Sequence, residues 1–511
     1  MSTPIPTSDL VHRQLWLPID GMEPTTTSAQ VSTPSGYRGL YAFHKYWGKK
    51  PFEPIAYVIE NMTDEHEIVL DPFVGSGVVV RESARLARRF IGIDLNPVAV
   101  EISKLLVSPP DAGVVKQGFV EIERRVRGQI EASYKRDETD DVATHYLWKK
   151  RELEQIWIAG QRKGRKRQTF EPTKRDVELF ENYRGYQSRH ILSPRFFTNS
   201  RINVSPEMTL NDLFTGRALR NIDLLLDAIV RLPPSTQPIF RLCLTAACGQ
   251  MSRMVFAITG RGKTTGRSLS RIEVGSWVIG YWRPERHFEI NVWNCFARRV
   301  RKLIRALRKS NHMPVPLLSD HVFDVLHNRA TGAFSCDDTL TVLERFPSNS
   351  IDLILTDPPH SDRVPYIELS ELWNAILGHR VDFQKEIVVS NARERCKDLT
   401  EYNRAMTRFL ALASKVLKAG RFLVLLFNAR SSLSWEYLHT FLRGSNKGCL
   451  EYIGHFPLSY SAGSVVQDSR KGSLKHDMAL VFQKPGVSPS ITDRVCKLEQ
   501  IEGWATTLPE K

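Results

Sequence analysis

The sequence predicts an α/β fold whose core is a mostly parallel sheet, interrupted by a largely helical insertion. Two short runs, residues 67–70 and 351–355, are apolar and rich in branched side chains, as buried strands are. Each run is followed by a loop able to hold a ligand, and open α/β sheets bind ligands at the carboxyl ends of their strands. The long stretch between the two runs contains several segments of helical periodicity, which predict the insertion.

The first loop has the sequence D-P-F-V-G-S-G at residues 71–77. Gly75 and Gly77 let the backbone turn tightly and come close to a ligand. A helix that opens at residues 76–78 presents N–H groups that favour a carboxylate. The next strand ends at Asp94, where nucleotide folds bind a ribose diol. A tight turn would explain the glycines alone, but the acids and the phenylalanine favour a site for an adenosine-containing cofactor that bears a carboxylate. The candidate cofactor residues here are Asp71, Phe73, Gly75, Gly77 and Asp94.

The second loop, D-P-P-H at residues 357–360, suits an amino group on a flat ring. Its two prolines cannot donate backbone hydrogen bonds and each fixes its own φ angle, so the loop is stiff. The exocyclic amine of adenine or cytosine is a poor nucleophile, because its lone pair is delocalised into the ring. The Asp357 carboxylate and the Pro358 carbonyl could each accept one N–H bond of this amine and direct the lone pair at a methyl group. His360 would stack on the unstacked base. A proline-rich loop with a capping acid is the purely structural alternative.

Four segments resemble motifs of the amino-methyltransferase family of DNA methylases, which act on adenine N6 or cytosine N4. In chain order they are H-K-Y-W-G-K-K-P at 44–51, D-P-F-V-G-S-G at 71–77, I-G-I-D-L-N-P at 91–97 and D-P-P-H at 357–360. They are similar to the family's lysine–proline, cofactor, ribose-binding and catalytic D-P-P-Y motifs. His360 replaces the usual Tyr or Phe and can also be charged, which leaves base preference and pH dependence open. The resemblance covers roughly residues 40–105 and 330–485.

This resemblance implies a Rossmann-like methyltransferase whose mostly parallel seven-stranded sheet ends in an antiparallel hairpin. Such an enzyme binds S-adenosylmethionine and methylates a base flipped out of duplex DNA. It adds Lys50 and Asp338 to the candidate cofactor residues. The implied catalytic residues are Asp357, Pro358, Pro359 and His360. Transfer is expected to be direct, with no covalent enzyme intermediate and no metal. Adenine N6 is favoured over cytosine N4, and a restriction-modification or defence system is an expected setting. Methylation of RNA bases and a catalytically silent nucleic-acid-binding module of the same fold are the alternatives.

Composition narrows the class of protein. The chain has 511 residues, too many for one compact domain, and a formal net charge of +15. Such an excess fits a polyanionic partner such as DNA, although solubility alone is the plainer explanation. No apolar run approaches the roughly 18–20 residues needed to span a bilayer. The seven cysteines lack C-x-x-C spacing, so neither a disulfide framework nor a zinc site is indicated. A reducing, cytoplasmic setting is therefore expected.

The pattern divides the chain into five parts. They are a flexible arm at 1–35, the cofactor half of the core at 36–105, an insertion at 106–330, the catalytic half at 331–486 and a tail at 487–511. The insertion is the candidate target-recognition and DNA-binding domain, and its basic loop suits the phosphate backbone rather than base edges. The candidate nucleic-acid-binding residues of that loop are Arg162, Lys163, Arg165, Lys166 and Arg167. A helical stripe at about 292–309 has a second basic face, although a charge run of this kind is usually just solvated.

Overall fold

The computed structural model of the protein describes ten stretches of the chain. They are residues 37–136, 141–158, 167–191, 196–259, 272–310, 315–362, 364–427, 432–443, 449–458 and 477–486. The strands of these stretches are β1 (Ile68–Asp71), β2 (Arg89–Ile93), β3 (Ala143–Lys149), β4 (Glu152–Ile158), β5 (Gln168–Phe170), β6 (Ala257–Ile258), β7 (Glu273–Val274), β8 (Arg286–Ile290), β9 (Leu318–Ser319), β10 (Gly332–Ser335), β11 (Ile351–Thr356), β12 (Leu417–Phe427), β13 (Glu451–Leu458) and β14 (Asp477–Gln483).

The α-helices lie between these strands and on both sides of them. They are α1 (Phe52–Met62), α2 (Val78–Arg85), α3 (Pro97–Val107), α4 (Ala112–Ala132), α5 (Lys174–Glu181), α6 (Gly216–Val230), α7 (Gln237–Met251), α8 (Val292–Lys309), α9 (Val322–Leu326), α10 (Thr339–Glu344), α11 (Tyr366–Leu377), α12 (Leu399–Val416) and α13 (Glu436–Arg443). None of the helices in the described stretches has the length and apolar character needed to cross a lipid bilayer.

The core is one large, mostly parallel sheet. Its strand order is β13-β14-β12-β11-β1-β2-β10-β9, and β14 runs antiparallel to both of its neighbours. The resemblance implies seven strands ending in an antiparallel hairpin, whereas the described sheet has eight. The additional strand is β9, a two-residue edge strand that pairs with β10. It lies within the range assigned to the insertion but belongs to the core sheet.

Both faces of the central strands are buried, as expected for a parallel sheet covered by helices. Alternate residues of a strand point to opposite faces. Val69 and Leu353 therefore pack with α1 on one side of the sheet. Leu70 and Ile354 pack with α12 on the other side. The short apolar runs recognised in the sequence are thus the middle of the sheet, and the loops that follow them lie at its carboxyl edge.

The insertion contains a small sheet in addition to its helices. Alongside α4, α5, α6, α7 and α8 it has a four-stranded antiparallel sheet in the order β5-β4-β3-β8. The β3–β4 hairpin turns at Lys150, which has a φ of +55°. Hairpin turns of this kind usually contain Gly, Asn or Asp, so the turn carries no sequence signal. At the centre of the insertion, the fully buried Arg217 forms a 2.8 Å ion pair with Glu289.

The insertion and the core share one hydrophobic cluster. Trp47, which precedes α1, stacks on Trp373 of α11 with ring centroids 4.5 Å apart. Trp277, from the insertion, contacts the edges of both rings. This three-tryptophan contact fixes the segment before α1 against the catalytic half of the core. It therefore positions the residues that follow Trp47 along the chain.

Candidate active site

The two loops recognised in the sequence open into one cleft. They are called the cofactor loop (residues 71–77) and the catalytic loop (residues 357–360) after their predicted roles. Strands β1 and β11 are parallel neighbours, with Val69 opposite Leu353, so the loops that follow them leave the sheet side by side. The cleft encloses about 900 Å³, including space open to solvent. The predicted residues that line it are Lys50, Asp71, Phe73, Gly75, Asp94, Asp338, Asp357 and Pro359. Those that do not line it in the described structure are Gly77, Pro358 and His360.

Gly77 is required by both its backbone angle and its surroundings. It caps α2 with a φ of +79°, in the left-handed region that other residues adopt only with strain. A Cβ atom built on Gly77 would lie 2.8 Å from the Cα atom of Ser103 on α3. The glycine thus lets α2 and α3 approach behind the cofactor loop. It shapes the loop rather than lining the cleft.

Asp94 holds the cofactor loop in place. Its carboxylate accepts hydrogen bonds of 2.8 Å from the backbone N–H groups of Gly75 and Asn96. Burial raises the pKa of Asp94 to about 6, although these two hydrogen bonds oppose the shift. A carboxylate oxygen has two lone pairs, so Asp94 can accept ribose hydroxyls in addition to these backbone bonds.

Asp71 links the two loops at their bases. Its Oδ1 accepts a 2.6 Å hydrogen bond from the hydroxyl of Thr356, the last residue of β11, and a 3.2 Å bond from the Phe73 N–H. Burial raises the pKa of Asp71 to about 7, with a further contribution from the carboxylates of Asp94 and Asp357. The acid at the end of β1 therefore connects the cofactor strand to the catalytic strand.

Asp357 lies between two nitrogen-bearing side chains. The Lys50 Nζ atom and the His360 Nε2 atom are each 2.9 Å from the Asp357 Oδ1 atom. The Lys50 side chain is 7% exposed, so its ammonium group meets the carboxylate largely out of water. Lys50 thus reaches the catalytic loop, whereas the resemblance places it at the methionine end of the cofactor. Both assignments fit a lysine that lines the shared cleft.

His360 is buried behind the loop, and this position differs from the stacking role that the sequence suggests. Its side chain is only 5% exposed. Its Nε2 atom is 3.0 Å from the carbonyl oxygen of Leu426, and its ring meets the edge of Phe427. His360 does not line the cleft in the described structure. Its contact with Asp357 is suited to orienting the carboxylate.

Two further predicted residues have structural contacts of their own. Asp338 caps α10, and its carboxylate accepts hydrogen bonds from the N–H groups of Leu340 and Thr341. Phe73 packs edge-on against Phe409 of α12, with ring centroids 5.1 Å apart. Both still border the cleft. They are therefore placed to contact a ligand while remaining part of the fold.

Comparison with known proteins finds a similarity in the first part of the chain. Residues 10–105 match the family model of DNA methylases that act on adenine N6 or cytosine N4. The chain is also 41% identical over 64 residues to the type II methyltransferase M2.LlaDCHI of Lactococcus lactis subsp. cremoris. The same identity over the same length relates it to the type II methyltransferase M2.DpnII of Streptococcus pneumoniae. This segment of the chain is therefore similar to DNA methylases.

The methylase segment covers only part of the site. It includes the cofactor loop and Asp94 but ends well before Asp357. Each alignment covers 12% of this chain and 24% of the relative, so the chain spans about a quarter of the length of the methyltransferases it matches. The catalytic loop is connected to the methylase segment by the fold, because β11 pairs directly with β1.

Sequence reasoning missed an aromatic pair in the cleft. Tyr46 and Tyr366 stack with ring centroids 6.0 Å apart, and both line the cleft. Tyr46 lies within the recognised lysine–proline motif, where the signal was present but not used. Tyr366 opens α11 and has no distinguishing sequence context. Its proximity to the cleft depends on tertiary packing alone.

A buried network under the cleft was also missed. Arg395, which is fully buried, contacts Glu368 and Glu386 at 2.7 Å each. Asn199 of the insertion donates a 2.7 Å hydrogen bond to the same Glu368. Glu386 lines the cleft, so the network connects the insertion to the site wall. Because these residues are far apart in sequence, no local pattern predicts the cluster.

Most of the predicted nucleic-acid-binding loop lies outside the described residues. The residues concerned are Arg162, Lys163, Arg165 and Lys166. Arg167 is described, and its guanidinium lies 3.5 Å from the centre of the Trp157 ring. It is exposed on the insertion and does not line the cleft.

Proposed function

We propose that this protein transfers a methyl group from S-adenosylmethionine to the exocyclic amine of a flipped base in DNA. Adenine N6 is the favoured acceptor and cytosine N4 the second. The single observation that supports this most strongly is the meeting of the two loops in one cleft, the cofactor loop after β1 and the catalytic loop after β11. A donor and an acceptor amine bound there would lie next to each other. Proximity of this kind supplies much of the acceleration in a direct transfer.

The charges of the cleft fit the methyl donor. S-adenosylmethionine is a net cation at neutral pH, because its sulfonium and ammonium groups outweigh its carboxylate. The acidic residues lining the cleft outnumber the two lysines, Lys50 and Lys385. They are Asp71, Asp94, Asp338, Asp357 and Glu386. Asp94 would hold the ribose, the Gly75–Gly77 turn would leave room for the methionine end, and Phe73 and Asp338 would border the adenine. When bound, the donor supplies an electrophilic methyl carbon on sulfur.

Asp357 would activate the amine. Its carboxylate would accept one N–H bond of the base, while Lys50 and His360 hold the carboxylate in place through their contacts with Oδ1. Accepting that bond localises the lone pair of the nitrogen and stabilises the positive charge that develops on it. The nitrogen–carbon bond would form as the carbon–sulfur bond breaks, with S-adenosylhomocysteine as the leaving group, and the nitrogen would then lose one proton through the Asp357 carboxylate to solvent. The Tyr402 hydroxyl donates a 2.6 Å hydrogen bond to the Pro359 carbonyl and helps to fix the loop.

The biological setting is a second part of the proposal. The matched relatives are named type II methyltransferases, the modification arm of restriction-modification systems. We extend that role to this chain and expect it to protect or mark DNA in a defence system. One specific observation favours a different function, a binding module without transfer activity. His360 replaces the usual aromatic residue of the catalytic motif and is buried away from the cleft.

The roles of the two loops can be separated by substitution. Asp357→Ala should abolish methyl transfer to DNA while leaving the affinity for S-adenosylmethionine nearly unchanged. Asp94→Ala should chiefly weaken cofactor affinity, because it removes the ribose acceptor and releases Gly75. Isothermal titration with the cofactor and a labelled-methyl transfer assay on DNA measure the two effects. Equal loss of cofactor affinity in both variants would contradict the assignment. Cofactor binding by the wild-type protein without transfer to DNA or RNA would favour the silent module.

A further inference from the structure

We propose that an arginine-lined groove in the insertion binds the phosphate backbone of duplex DNA. The assignment rests on the proposed function for the identity of the polyanion. The groove lies between α8 and the antiparallel sheet of β3, β4 and β8, and encloses about 1630 Å³ including space open to solvent. It is separate from the catalytic cleft, with which it shares no lining residue.

The positive charge of the groove comes from one face of α8. Four exposed arginines of this helix line it: Arg298, Arg301, Arg305 and Arg308. Their spacing of three, four and three residues places them in a row along one side of the helix. A fifth arginine, Arg167, lies across the groove on the Trp157 ring. No acidic side chain is among the described residues that line the groove.

A comparison with α4 argues against a merely solvated helix face. On α4 the exposed arginines are paired along the helix: Arg124 with Glu121, and Arg127 with Glu123 and Glu131. Helix α8 contains no acid, and its four groove arginines make no ion pair within the described part of the chain. Like charges in neighbouring turns destabilise a helix. A row of this kind is therefore best explained by a partner that supplies the negative charge.

The length of the row suits a nucleic-acid strand. From Arg298 to Arg308 the helix rises about 15 Å, at 1.5 Å per residue. One strand of duplex DNA carries a phosphate for each 3.4 Å of axis, so the row spans roughly four to five phosphates. Two other cations on α8 are directed elsewhere, because Arg299 and Lys302 donate to the carbonyl oxygens of Phe43 and Ala42. Arg299 and Lys302 thus stabilise the fold, whereas the four other arginines named above line the groove.

The groove is built to position a backbone rather than to read a sequence. Beside the arginines, its lining is mostly apolar or aromatic, including Trp157, Ile290 and Ile304. His145 also lines it, and burial together with Arg298 and Arg167 lowers the pKa of this histidine to about 4. The ring is therefore neutral at physiological pH, and the binding charge comes from the arginines. Arginine contacts to phosphates set register and orientation and contribute little sequence preference.

The test compares two double variants that remove the same charge. Arg305→Gln with Arg308→Gln alters the groove, and Arg124→Gln with Arg127→Gln alters exposed α4. Fluorescence anisotropy with a labelled DNA duplex gives the affinity as a function of salt. The groove variant should bind at least about tenfold more weakly near 0.1 M salt and reduce the slope of log K against log salt by roughly 1.8. The α4 variant should leave the slope near that of the wild-type protein.

A charge-conserving variant tests whether lost charge, rather than a disturbed helix, causes the change in slope. Arg305→Lys with Arg308→Lys should restore the slope, since each lysine can still neutralise one phosphate. Equal slopes for the groove and α4 variants would overturn the groove, as would tighter binding of duplex RNA than of duplex DNA. Methyl transfer by the wild-type protein is measured separately. If the groove fails while transfer to DNA is observed, the proposed function stands. If transfer is absent while the slope changes, the groove stands as a DNA-binding surface.

Discussion

Asp71 gives the sharpest quantitative prediction, because burial moves its pKa from its ordinary value of 3.8 to about 7. Replacing it by asparagine removes the titration but conserves the shape. Thr356 and Phe73 both donate to Oδ1, and the amide oxygen of asparagine can accept the same two hydrogen bonds. Asp71→Asn therefore isolates the electrostatic cost of a buried carboxyl group at the base of the cleft.

The sign follows from proton counting. Between pH 4 and pH 7 the folded chain retains a proton on Asp71 that the unfolded chain has released, so stability falls as pH rises. A shift of about three units corresponds to about 4 kcal/mol in total, at 1.36 kcal/mol per unit. Across the accessible range of about pH 5 to pH 8, roughly 2.6 kcal/mol of that loss should be observed. Below about pH 4 the folded and the unfolded chain both hold this proton, so Asp71 no longer makes stability depend on pH.

Urea denaturation of both proteins over this pH range tests the prediction. The free energy of unfolding of Asp71→Asn should rise relative to that of the wild-type protein by roughly 2.6 kcal/mol from pH 5 to pH 8. Asp320→Asn is a matched control, because Asp320 is exposed and carries the same change of side chain. Its profile should run parallel to that of the wild-type protein. Parallel profiles for Asp71→Asn as well would refute the reasoning that burial holds this carboxyl protonated.

Other substitutions test the shape and the charges of the site. Gly77→Ala should lower the free energy of unfolding by at least about 2 kcal/mol, from backbone strain plus a clash with α3. Gly128→Ala, at an open position in the middle of α4, should be neutral or stabilising by up to about 1 kcal/mol in the same denaturation assay. Lys50→Met should lower the rate of methyl transfer without changing DNA affinity, because Asp357 loses its ammonium partner. Single-turnover kinetics would measure the lower rate of transfer, and an unchanged rate would contradict a role for Lys50 in the reaction. His360→Phe should lower transfer, because a phenyl ring cannot contact the Asp357 carboxylate through a ring nitrogen, and retained activity would remove the orienting role of His360.

The adjacency of the two loops was predictable from the sequence. Parallel strands end at the same edge of a sheet, so two apolar runs that each lead into a ligand-binding loop bring those loops together. This is why Gly75 and Asp357 share a cleft although they are far apart in the chain. What the sequence could not supply is the side-chain geometry. The approach of Lys50 to Asp357 depends on the packing of Trp47 against Trp373, which no local pattern reveals.

The position of His360 shows the limit of reasoning by motif. The residue type and its spacing in the motif favour an aromatic ring over the base. The direction of the ring is set by Phe427 and by the Leu426 carbonyl at the end of β12. Those partners are contributed by a neighbouring strand. The role of a motif residue therefore depends on the strand beside it as much as on the motif.

The insertion was harder to predict, because its signals are weak. Strand β5 has three residues and the β6–β7 ribbon has two on each side, too few for a periodic pattern. The basic face of α8 was visible in the sequence, but a solvated surface would look the same. The structure adds that the face closes one side of a groove and lacks acidic partners there. A basic helix face therefore indicates a binding surface only when the residues around it are known.

Analysis of nucleosides tests the central claim most directly. Unmethylated DNA is incubated with the wild-type protein and a methyl-labelled donor, digested to nucleosides and analysed by mass spectrometry, with Asp357→Ala in parallel. Labelled N6-methyladenine, or secondarily N4-methylcytosine, should form with the wild-type protein and vanish in the variant. Label on a ring carbon, or equal label with both proteins, would contradict amine methylation at this cleft.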